Sequence, residues 1–181
     1  WSNRSNQVLR FKILTTLFGE EAVNGDFSVN DFGCGYAAFY TFLKKLKMKQ
    51  PFRYFGIDIS EEMIKKSESR VNDPNARFTQ ALFAHHTADY TVASGTYSMM
   101  IDTPLDEWED YIRASLTDLW AQTRKGLGFN ILQLGSMPEG SSLYTAESAP
   151  YVDFCKRQLS PNVELLDAYH PNEWCIFVRR D

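Results

Sequence analysis

The sequence predicts an α/β fold with a mostly parallel sheet, and three observations support this prediction. Short apolar runs of strand length alternate with amphipathic stretches of helix length along the 181 residues, as in sheets connected by crossover helices. The strand that begins near Ser28 runs into two spaced glycines and then into a helix. The last two apolar runs have only a short connection between them, so they should pair antiparallel as a hairpin.

The first half of the chain supplies a leading helix and two strand–helix units. Apolar residues at helical spacing mark the helices, and Pro51 lies in a loop between the two units. In order, the predicted elements are a helix over 4–18, a loop over 19–26, a strand from Ser28, a helix over 36–47, a strand over 53–58 and a helix capped by Ser60.

The second half continues the alternation. Its predicted elements are strands over 77–80 and 90–94, a helix over 104–124, a strand over 127–134, a helix over 146–159, and strands over 163–166 and 175–179. The helix over 104–124 has the clearest local signals: Thr103 as the cap, Pro104 in the first position, Asp106 as a capping-box carboxylate, and Gly126 as the stop. Its predicted buried stripe is Leu105, Trp108, Ile112, Leu116, Leu119 and Thr123.

Composition limits the classes of protein to consider. A hydrophobic fraction of 44% and a charged fraction of 23% are those of a globular protein, and the length suits one domain over 1–181, with a lead-in over 1–26 and an α/β core over 27–181. The net charge of −4 gives no reason to expect nucleic acid. No apolar run approaches the ~20 residues of a membrane span, so no membrane partner is expected.

Cysteine and histidine spacing argues against structural cross-links. The three cysteines show no CxxC spacing, and the three histidines lack metal-ligand spacing with carboxylates or thiols. We therefore expect no metal site and no disulfide framework. A reducing compartment follows, and the expected location is cytoplasmic.

The spaced glycines Gly33 and Gly35 predict a binding turn. Glycine lets the backbone turn sharply and approach a ligand closely. The helix that follows presents unpaired amides and the positive end of its dipole. Such a turn binds a nucleotide-like or anionic ligand; an ordinary tight turn between a strand and a helix is the alternative.

Asp58 ends the second predicted strand, which should lie beside the first in a parallel sheet. An acidic residue about 20 positions past a glycine turn suits hydrogen bonding to ribose hydroxyls. Asp58 could instead simply precede the Ser60 cap on a solvated corner. Together, Asp58 and the glycine turn favour a ligand of adenosine type.

The chain resembles the class I S-adenosylmethionine-dependent methyltransferases over nearly its whole length. The motifs that carry the resemblance are residues 29–35, 56–63 and 89–95. Residues 128–132 and 153–159 resemble a bacterial branch of uncertain substrate. These motifs are specific for fold and cofactor, and they identify no substrate.

The resemblance implies a three-layer, Rossmann-like fold with a seven-stranded sheet and an antiparallel last strand. It also implies S-adenosylmethionine as cofactor and S-adenosylhomocysteine as product. The residues implied to bind the cofactor are Asp31, Gly33, Cys34, Gly35 and Tyr36 around its methionine part, Asp58 on the ribose hydroxyls, Ile59 and Met63 against the adenosine, and Ser94 with Gly95 beside the sulfonium.

The chain departs from that family pattern at two places. Most relatives have glycine where this chain has Ala37, so the turn must accommodate a methyl group. Many also have an acid after the third strand for the adenine amino group, whereas residues 80–83 contain no carboxylate. Leu82 or Phe83 could pack on the adenine ring instead, although core positions fit them better.

The resemblance implies methyl transfer to an unidentified acceptor, expected to be a small molecule. The candidates for a general base are His85, His86, Tyr97 and His170, and none is selected as catalytic. Side chains that could reach the cofactor carboxylate are Arg4, Gln7 and Arg10, although a solvated helix face is the favoured interpretation of these residues. Residues 97–102 could form a lid, and an apolar acceptor pocket could be lined by Trp1, Met99, Met100 and Trp174.

Two other functions fit parts of the sequence. A nicotinamide-dependent oxidoreductase would use the glycine fingerprint that ends at Ala38, with Asp58 on the ribose. Tyr40 and Lys44 even have a Tyr-x-x-x-Lys spacing, but the final hairpin does not belong to that fold. A non-catalytic binding module is the other alternative, motivated by Ala37 and the missing adenine acid.

Overall fold

The computed structural model describes residues 4–100 and 102–181. Its helices are α1 (Arg4–Thr16), α2 (Glu21–Asn24), α3 (Ala38–Leu43), α4 (Glu61–Arg70), α5 (Leu105–Ala121) and α6 (Ala149–Gln158). Its strands are β1 (Ser28–Phe32), β2 (Arg53–Asp58), β3 (Ala76–Gln80), β4 (Ala88–Ala93), β5 (Thr123–Gln133), β6 (Thr145–Ala146), β7 (Val163–Leu166) and β8 (Glu173–Arg179).

The strands form one sheet in the order β3-β2-β1-β4-β5-β8-β7, and β6 adds to β5. Strand β1 pairs in parallel with both β2 and β4. Strand β8 runs antiparallel to β5 and forms a hairpin with β7. The predicted α/β fold with a mostly parallel sheet and a reversed last strand is confirmed. The two-residue strand β6 was not predicted.

Apolar side chains of the helices cover the sheet from two sides. Phe11 of α1 and Phe39 of α3 belong to one buried cluster, whereas Leu116 of α5 and Tyr151 of α6 belong to another. Each fully buried side chain of this size contributes about 1.5–3 kcal/mol relative to exposure. The three-layer arrangement therefore follows from apolar stripes on the helices. No helix among the described residues is long and apolar enough to cross a membrane.

The predicted end of the long helix was wrong. Helix α5 stops at Ala121, and Gly126 lies inside β5. A Cβ atom at Gly126 would come within 2.9 Å of Leu17 Cδ1, so this glycine makes room for the side chain that packs against the strand. The predicted cap was also wrong: Pro104 occupies the N-cap position, and no side chain caps the helix.

Two other boundaries differ from the prediction. The loop predicted over 19–26 contains the short helix α2. Helix α3 begins only at Ala38, because Ala37 has left-handed backbone angles of φ 60° and ψ 40°. Beyond Leu43 the amide of Lys45 donates to the Phe42 carbonyl at 3.0 Å. This hydrogen bond spans three residues and not four, so the backbone tightens into a 3-10 turn and the α-helix ends.

Candidate functional site

A cavity of about 490 Å³ lies where β1, β2 and β4 end. The strand order reverses at β1: the chain adds β2 and β3 on one side of β1, and β4 and β5 on the other. Such switch points open a crevice at the carboxyl ends of parallel strands. The structure brings all the predicted cofactor residues to this cavity: Asp31, Gly33, Cys34, Gly35, Tyr36, Asp58, Ile59, Met63, Ser94 and Gly95.

The glycine turn after β1 has two residues in the left-handed region, Gly33 at φ 74° and Gly35 at φ 54°. The amides of Gly33 and Cys34 both donate to the Ile57 carbonyl, at 2.8 and 3.0 Å. A Cβ at Gly33 would meet Thr96 Oγ1 at 2.5 Å, but a Cβ at Gly35 would meet nothing within 4 Å. Gly35 therefore presents bare backbone to the cavity.

Asp58 joins the glycine turn to the helix after β2. Its Oδ2 accepts a hydrogen bond from the Gly35 amide at 2.9 Å, and its Oδ1 accepts one from the Ser60 amide at 2.9 Å. Ser60 caps α4 by accepting from the Met63 amide at 3.3 Å. Each carboxylate oxygen has two acceptor sites, so Asp58 keeps one on each oxygen for hydroxyl donors.

Two buried polar atoms beside the cavity lack a hydrogen-bond partner among the described residues. They are Asp31 Oδ1 and Ser94 Oγ. The Tyr54 hydroxyl donates to the other Asp31 oxygen. Burial raises the pKa of Asp31 to about 7, the charge of Asp58 adds to this increase, and the Tyr54 hydrogen bond opposes it. Because unpaired buried acceptors are costly, both atoms suit a donor on a bound ligand.

Cys34 is buried at the same turn but is not poised as a nucleophile. Burial raises the pKa of its thiol well above the ordinary value, and the nearby Asp31 and Asp58 charges act in the same direction. The thiol therefore stays neutral, and it contributes shape to the cavity wall. Cys155 and Cys175 are also buried and free of disulfides.

One rim of the cavity is formed by the ends of β2 and β3. Ile59 is 59% exposed, and the Gln80 side-chain amide donates to its carbonyl at 3.1 Å. Leu82 and Phe83 are each more than half exposed, so the expectation that they belong to the core was wrong. Both side chains are exposed to solvent because the chain leaves the sheet after β3, at this rim.

Another wall of the cavity contains one residue predicted as core, Trp108, and one predicted for an acceptor pocket, Met99. Trp108 and Tyr111 of α5 line the cavity together with Met99, and the two rings stack with centroids 5.1 Å apart. The helical spacing that predicted Trp108 as core could not show that α5 borders a cavity.

The predicted apolar acceptor pocket is only partly borne out. Trp174 is fully buried and donates from Nε1 to the Ala146 carbonyl at 2.9 Å, so its prediction as a pocket residue was wrong. Met100 packs against the core cluster. The short 3-10 helix Thr96–Ser98 overlaps only the first two residues of the predicted lid segment over 97–102. Trp1 and Ile101 lie outside the described residues.

Helix α1 borders the cavity through Gln7 and Phe11. Arg10 of this helix forms a buried ion pair with Glu173 of β8, with 3.0 Å between Nη2 and Oε2. Glu173 also accepts from Asn130 Nδ2 at 3.1 Å, and Asn130 Oδ1 accepts from the Gly95 amide at 2.8 Å. This polar network connects the helix to the loop after β4, and the sequence analysis did not find it.

Comparison with known proteins decides the family. The family model described as "Methyltransferase domain" matches residues 29–126, which is more than half of the chain. The protein named "Putative methyltransferase Rv1506c" from Mycobacterium tuberculosis is 38% identical over 159 residues, covering 85% of this chain and 93% of that protein. The chain belongs to the methyltransferase family. The predicted family assignment is thereby confirmed.

Solved structures agree with the fold of this methyltransferase. The plantazolicin methyltransferase BamL, in complex with a triazolic desmethylPZN analog and SAH, matches with a TM-score of 0.72 at 12% identity, covering 98% of this chain and 86% of that one. The magnesium protoporphyrin IX methyltransferase from Synechocystis PCC 6803 with bound SAM matches with a TM-score of 0.67 at 14% identity, covering 97% and 80%.

The methyltransferase accommodates Ala37 in its glycine turn by burying the extra methyl group. Ala37 has φ 60° yet is fully buried in the cluster around Phe39 and Leu43. A left-handed alanine costs roughly 1–2 kcal/mol, and burying its methyl group offsets about 0.8 kcal/mol of this. Alanine in place of glycine at position 37 thus adds a methyl group to the core behind the turn, and this methyl group does not enter the cavity.

The candidate bases lie away from the cavity. His85 and His86 are in the loop between β3 and β4, and His86 stacks on Phe55 with centroids 4.4 Å apart. Tyr97 is buried with its hydroxyl 2.5 Å from Ser115 Oγ, and His170 is in the final hairpin turn. None of the four lines the cavity within the described residues.

The Tyr-x-x-x-Lys spacing that would fit an oxidoreductase has a structural use here. The Tyr40 hydroxyl and the Lys44 ammonium both donate to Asp73 Oδ2, at 2.7 and 2.9 Å. They tie α3 to the turn before β3, outside the cavity. Within residues 4–100 and 102–181, no group of three or more His, Cys, Asp or Glu side chains could hold a metal ion.

Proposed function

We propose that this methyltransferase uses S-adenosylmethionine to methylate a small-molecule acceptor. One observation carries the proposal: Asp58 is hydrogen-bonded to the bare backbone of Gly35 at 2.9 Å and keeps free acceptor sites toward the cavity. A carboxylate held against a glycine turn suits a ligand whose ribose binds the carboxylate and whose remaining part lies over the turn. The likeness to structures named with bound SAM and SAH supports the same cofactor.

Different residues of the cavity would contact different parts of this cofactor. Asp58 accepts from the ribose hydroxyls, and Ile59 and Met63 flank the adenosine. Asp31 Oδ1, which lacks a partner among the described residues, accepts from the ammonium group of the methionine part. Ser94 lies at the end of β4, where it faces the reacting end of the cofactor.

The chemistry requires alignment more than acid–base assistance. When bound, the cofactor supplies a methyl group already activated on a sulfonium. The chain contributes by holding the acceptor in line with that methyl group and by excluding water with the apolar side chains of Phe11, Met99 and Trp108. Among the described residues, none of the four candidate bases lines the cavity, so no general base is assigned in this proposal.

A small molecule is the acceptor that the charge of the protein and its structural likenesses favour. The net charge of −4 gives no electrostatic attraction for nucleic acid. Two similar structures are named for plantazolicin and magnesium protoporphyrin IX, which supports acceptors of that size. The buried, free cysteines support a reducing compartment such as the cytoplasm.

Calorimetric titration tests this function. Three ligands are compared on the same protein: S-adenosylmethionine, S-adenosylhomocysteine and NAD. We expect saturable binding of the first two and none of NAD. Binding of NAD alone would support the oxidoreductase instead, and binding of none of the three would support a non-catalytic module.

A further inference from the structure

A second groove of about 610 Å³ adjoins the cavity, between α1, α3 and the end of α4. Gln7, Phe11, Tyr36 and Ala38 line both spaces. The two therefore share a wall, and a ligand in the groove lies next to the ligand in the cavity.

The groove carries positive charge although the protein is acidic overall. Arg4, Lys45 and Arg70 line it, and none of the described lining residues is acidic. Among the ion pairs of the described residues, none involves these three cations. The neighbouring Lys44, in contrast, is paired with Asp73 at 2.9 Å. The three cations are thus available to an anion.

Arg70 is held at the wall that the two spaces share. Its guanidinium carbon lies 5.1 Å from the centroid of the Tyr36 ring, within the range of a cation–π interaction. Tyr36 is itself part of the glycine turn. This cation is therefore oriented by a residue of the glycine turn.

The rest of the groove is apolar. Val8, Phe11 and Phe42 contribute to its lining, and the rings of Phe11 and Phe42 lie 5.6 Å apart. An aromatic and aliphatic surface with cations around it complements a ligand that has an apolar body and an anionic group.

The size of the groove argues that a separate molecule occupies it. A volume of about 610 Å³ is in the range of roughly 300–1,000 Å³ that small-molecule pockets show. The carboxylate end of a cofactor would fill only a small part of it. The cofactor would fill the cavity, and a second ligand of comparable size would fill the groove.

We infer that this groove binds the methyl acceptor and that the acceptor is an amphipathic anion, with a carboxylate or similar group on an apolar body. The inference rests on the proposed function, because it assigns the cofactor to the neighbouring cavity. It selects an acceptor class by charge and polarity, and the acceptor would reach the cavity past the shared wall at Gln7 and Phe11.

The test uses octanoate as the probe and octanol as its neutral counterpart. Two-dimensional amide NMR spectra of the full chain are recorded during titration, first alone and then with saturating S-adenosylhomocysteine. We expect saturable shifts at Thr41, Phe42 and Val8 with octanoate in both conditions, and much weaker ones with octanol. The double variant K45Q/R70Q should bind octanoate about tenfold more weakly.

The control is K66Q/R77Q, which removes the same charge from exposed positions outside the groove. It should bind octanoate like the wild type, and the unfolding midpoints of both variants should match the wild type. Equal binding of octanol, equal weakening in both double variants, or no saturable shift would overturn the inference. Displacement of octanoate by S-adenosylhomocysteine would assign the groove to the cofactor and overturn it as well.

The cofactor titration keeps the two proposals separate. If S-adenosylhomocysteine does not bind, the donor assignment fails, and the titration of octanoate alone still decides whether the groove selects amphipathic anions. If S-adenosylhomocysteine binds and octanoate does not, only the acceptor class is wrong.

Discussion

The carboxylate of Asp58 accepts the backbone amide of Gly35 at 2.9 Å, so the end of β2 and the turn after β1 form one unit. The second oxygen of Asp58 accepts the Ser60 amide at 2.9 Å and extends this unit to α4. A single side chain therefore shapes the turn and also faces the cavity. Stability and ligand binding should both depend on it.

Replacing Asp58 with asparagine should lower both stability and cofactor affinity. An amide has one acceptor oxygen, so at least one of the two backbone amides loses its partner. We expect a loss of about 1–3 kcal/mol in unfolding free energy and at least about tenfold weaker binding of S-adenosylhomocysteine. Urea denaturation and calorimetry measure the two effects.

Asp89 provides the matched control for Asp58. Its Oδ2 accepts from the Ser28 amide at 2.8 Å, but this contact lies at the amino ends of the strands, opposite the cavity. Asp89→Asn should lower stability by a similar amount and leave the affinity unchanged. Equal affinity in the Asp58 and Asp89 variants would remove the ribose role of Asp58.

Alanine substitutions at the two turn glycines should separate folding from binding. A methyl group at Gly33 would lie 2.5 Å from Thr96 Oγ1, whereas the methyl group at Gly35 would extend into open space. We expect Gly33→Ala to cost about 2 kcal/mol or more from strain and overlap. Gly35→Ala should cost about 1–2 kcal/mol from its backbone angle yet weaken cofactor binding at least as strongly as Asp58→Asn. Wild-type affinity in Gly35→Ala would show that no ligand approaches this turn.

The pKa of Asp31 predicts a falling stability of the unliganded protein from acid to neutral pH. Burial raises this pKa from 3.8 to about 7. The protonated form is therefore favoured by folding, and its contribution is fully present below the unfolded pKa and lost as pH rises through about 7. Three pKa units correspond to at most about 4 kcal/mol. Asp31→Asn should remove this slope in denaturation experiments between the two pKa values.

The same titration predicts the opposite trend for cofactor binding. A ligand with an ammonium group binds the ionised Asp31 better than the neutral acid. Affinity for S-adenosylhomocysteine should therefore rise as pH increases through about 7, while Asp31→Asn should bind weakly and with no such rise. A flat wild-type profile across this range would contradict the role of Asp31.

The ion pair between Arg10 and Glu173 should contribute far more than the exposed pairs. The Glu173 side chain is only 1% exposed. Glu173→Gln removes the buried negative charge that faces Arg10 and should cost about 3–5 kcal/mol. The exposed pair Arg179–Glu164, with side chains 32% and 48% exposed, should cost less than about 1 kcal/mol when Glu164 becomes glutamine.

A double-mutant cycle isolates this buried pair. Arg10→Met combined with Glu173→Gln should recover part of the stability that Glu173→Gln loses, because both charges of the pair are then removed together. Simple additivity of the two changes would show that the pair does not hold α1 to β8.

Local patterns in the sequence were sufficient to predict the glycine turn and every strand except the two-residue β6. Strand alternation and the spacing of Gly33, Gly35 and Asp58 are local features, and parallel pairing of β1 with β2 brings them together. The role of Gly126 could not be predicted from local sequence. Whether this glycine ends a helix or makes room for Leu17 depends on how the segment after α1 packs against β5.

The parts of the site that were missed depend on contacts between distant segments. Arg10 and Glu173 are separated by 163 positions, and no periodicity indicates that they meet. Trp108 matches the apolar stripe of α5 whether it faces the core or a cavity. Spacing reports which side of a helix is apolar, but only the tertiary fold decides what that side contacts.

A crystal structure with S-adenosylhomocysteine tests the central claim most directly. We predict the ribose hydroxyls within hydrogen-bond distance of the Asp58 carboxylate, the methionine part over Gly33 and Gly35, and its ammonium group on Asp31. A ligand bound elsewhere, or a crevice between β1 and β4 filled by the protein's own side chains in that crystal, would contradict the account.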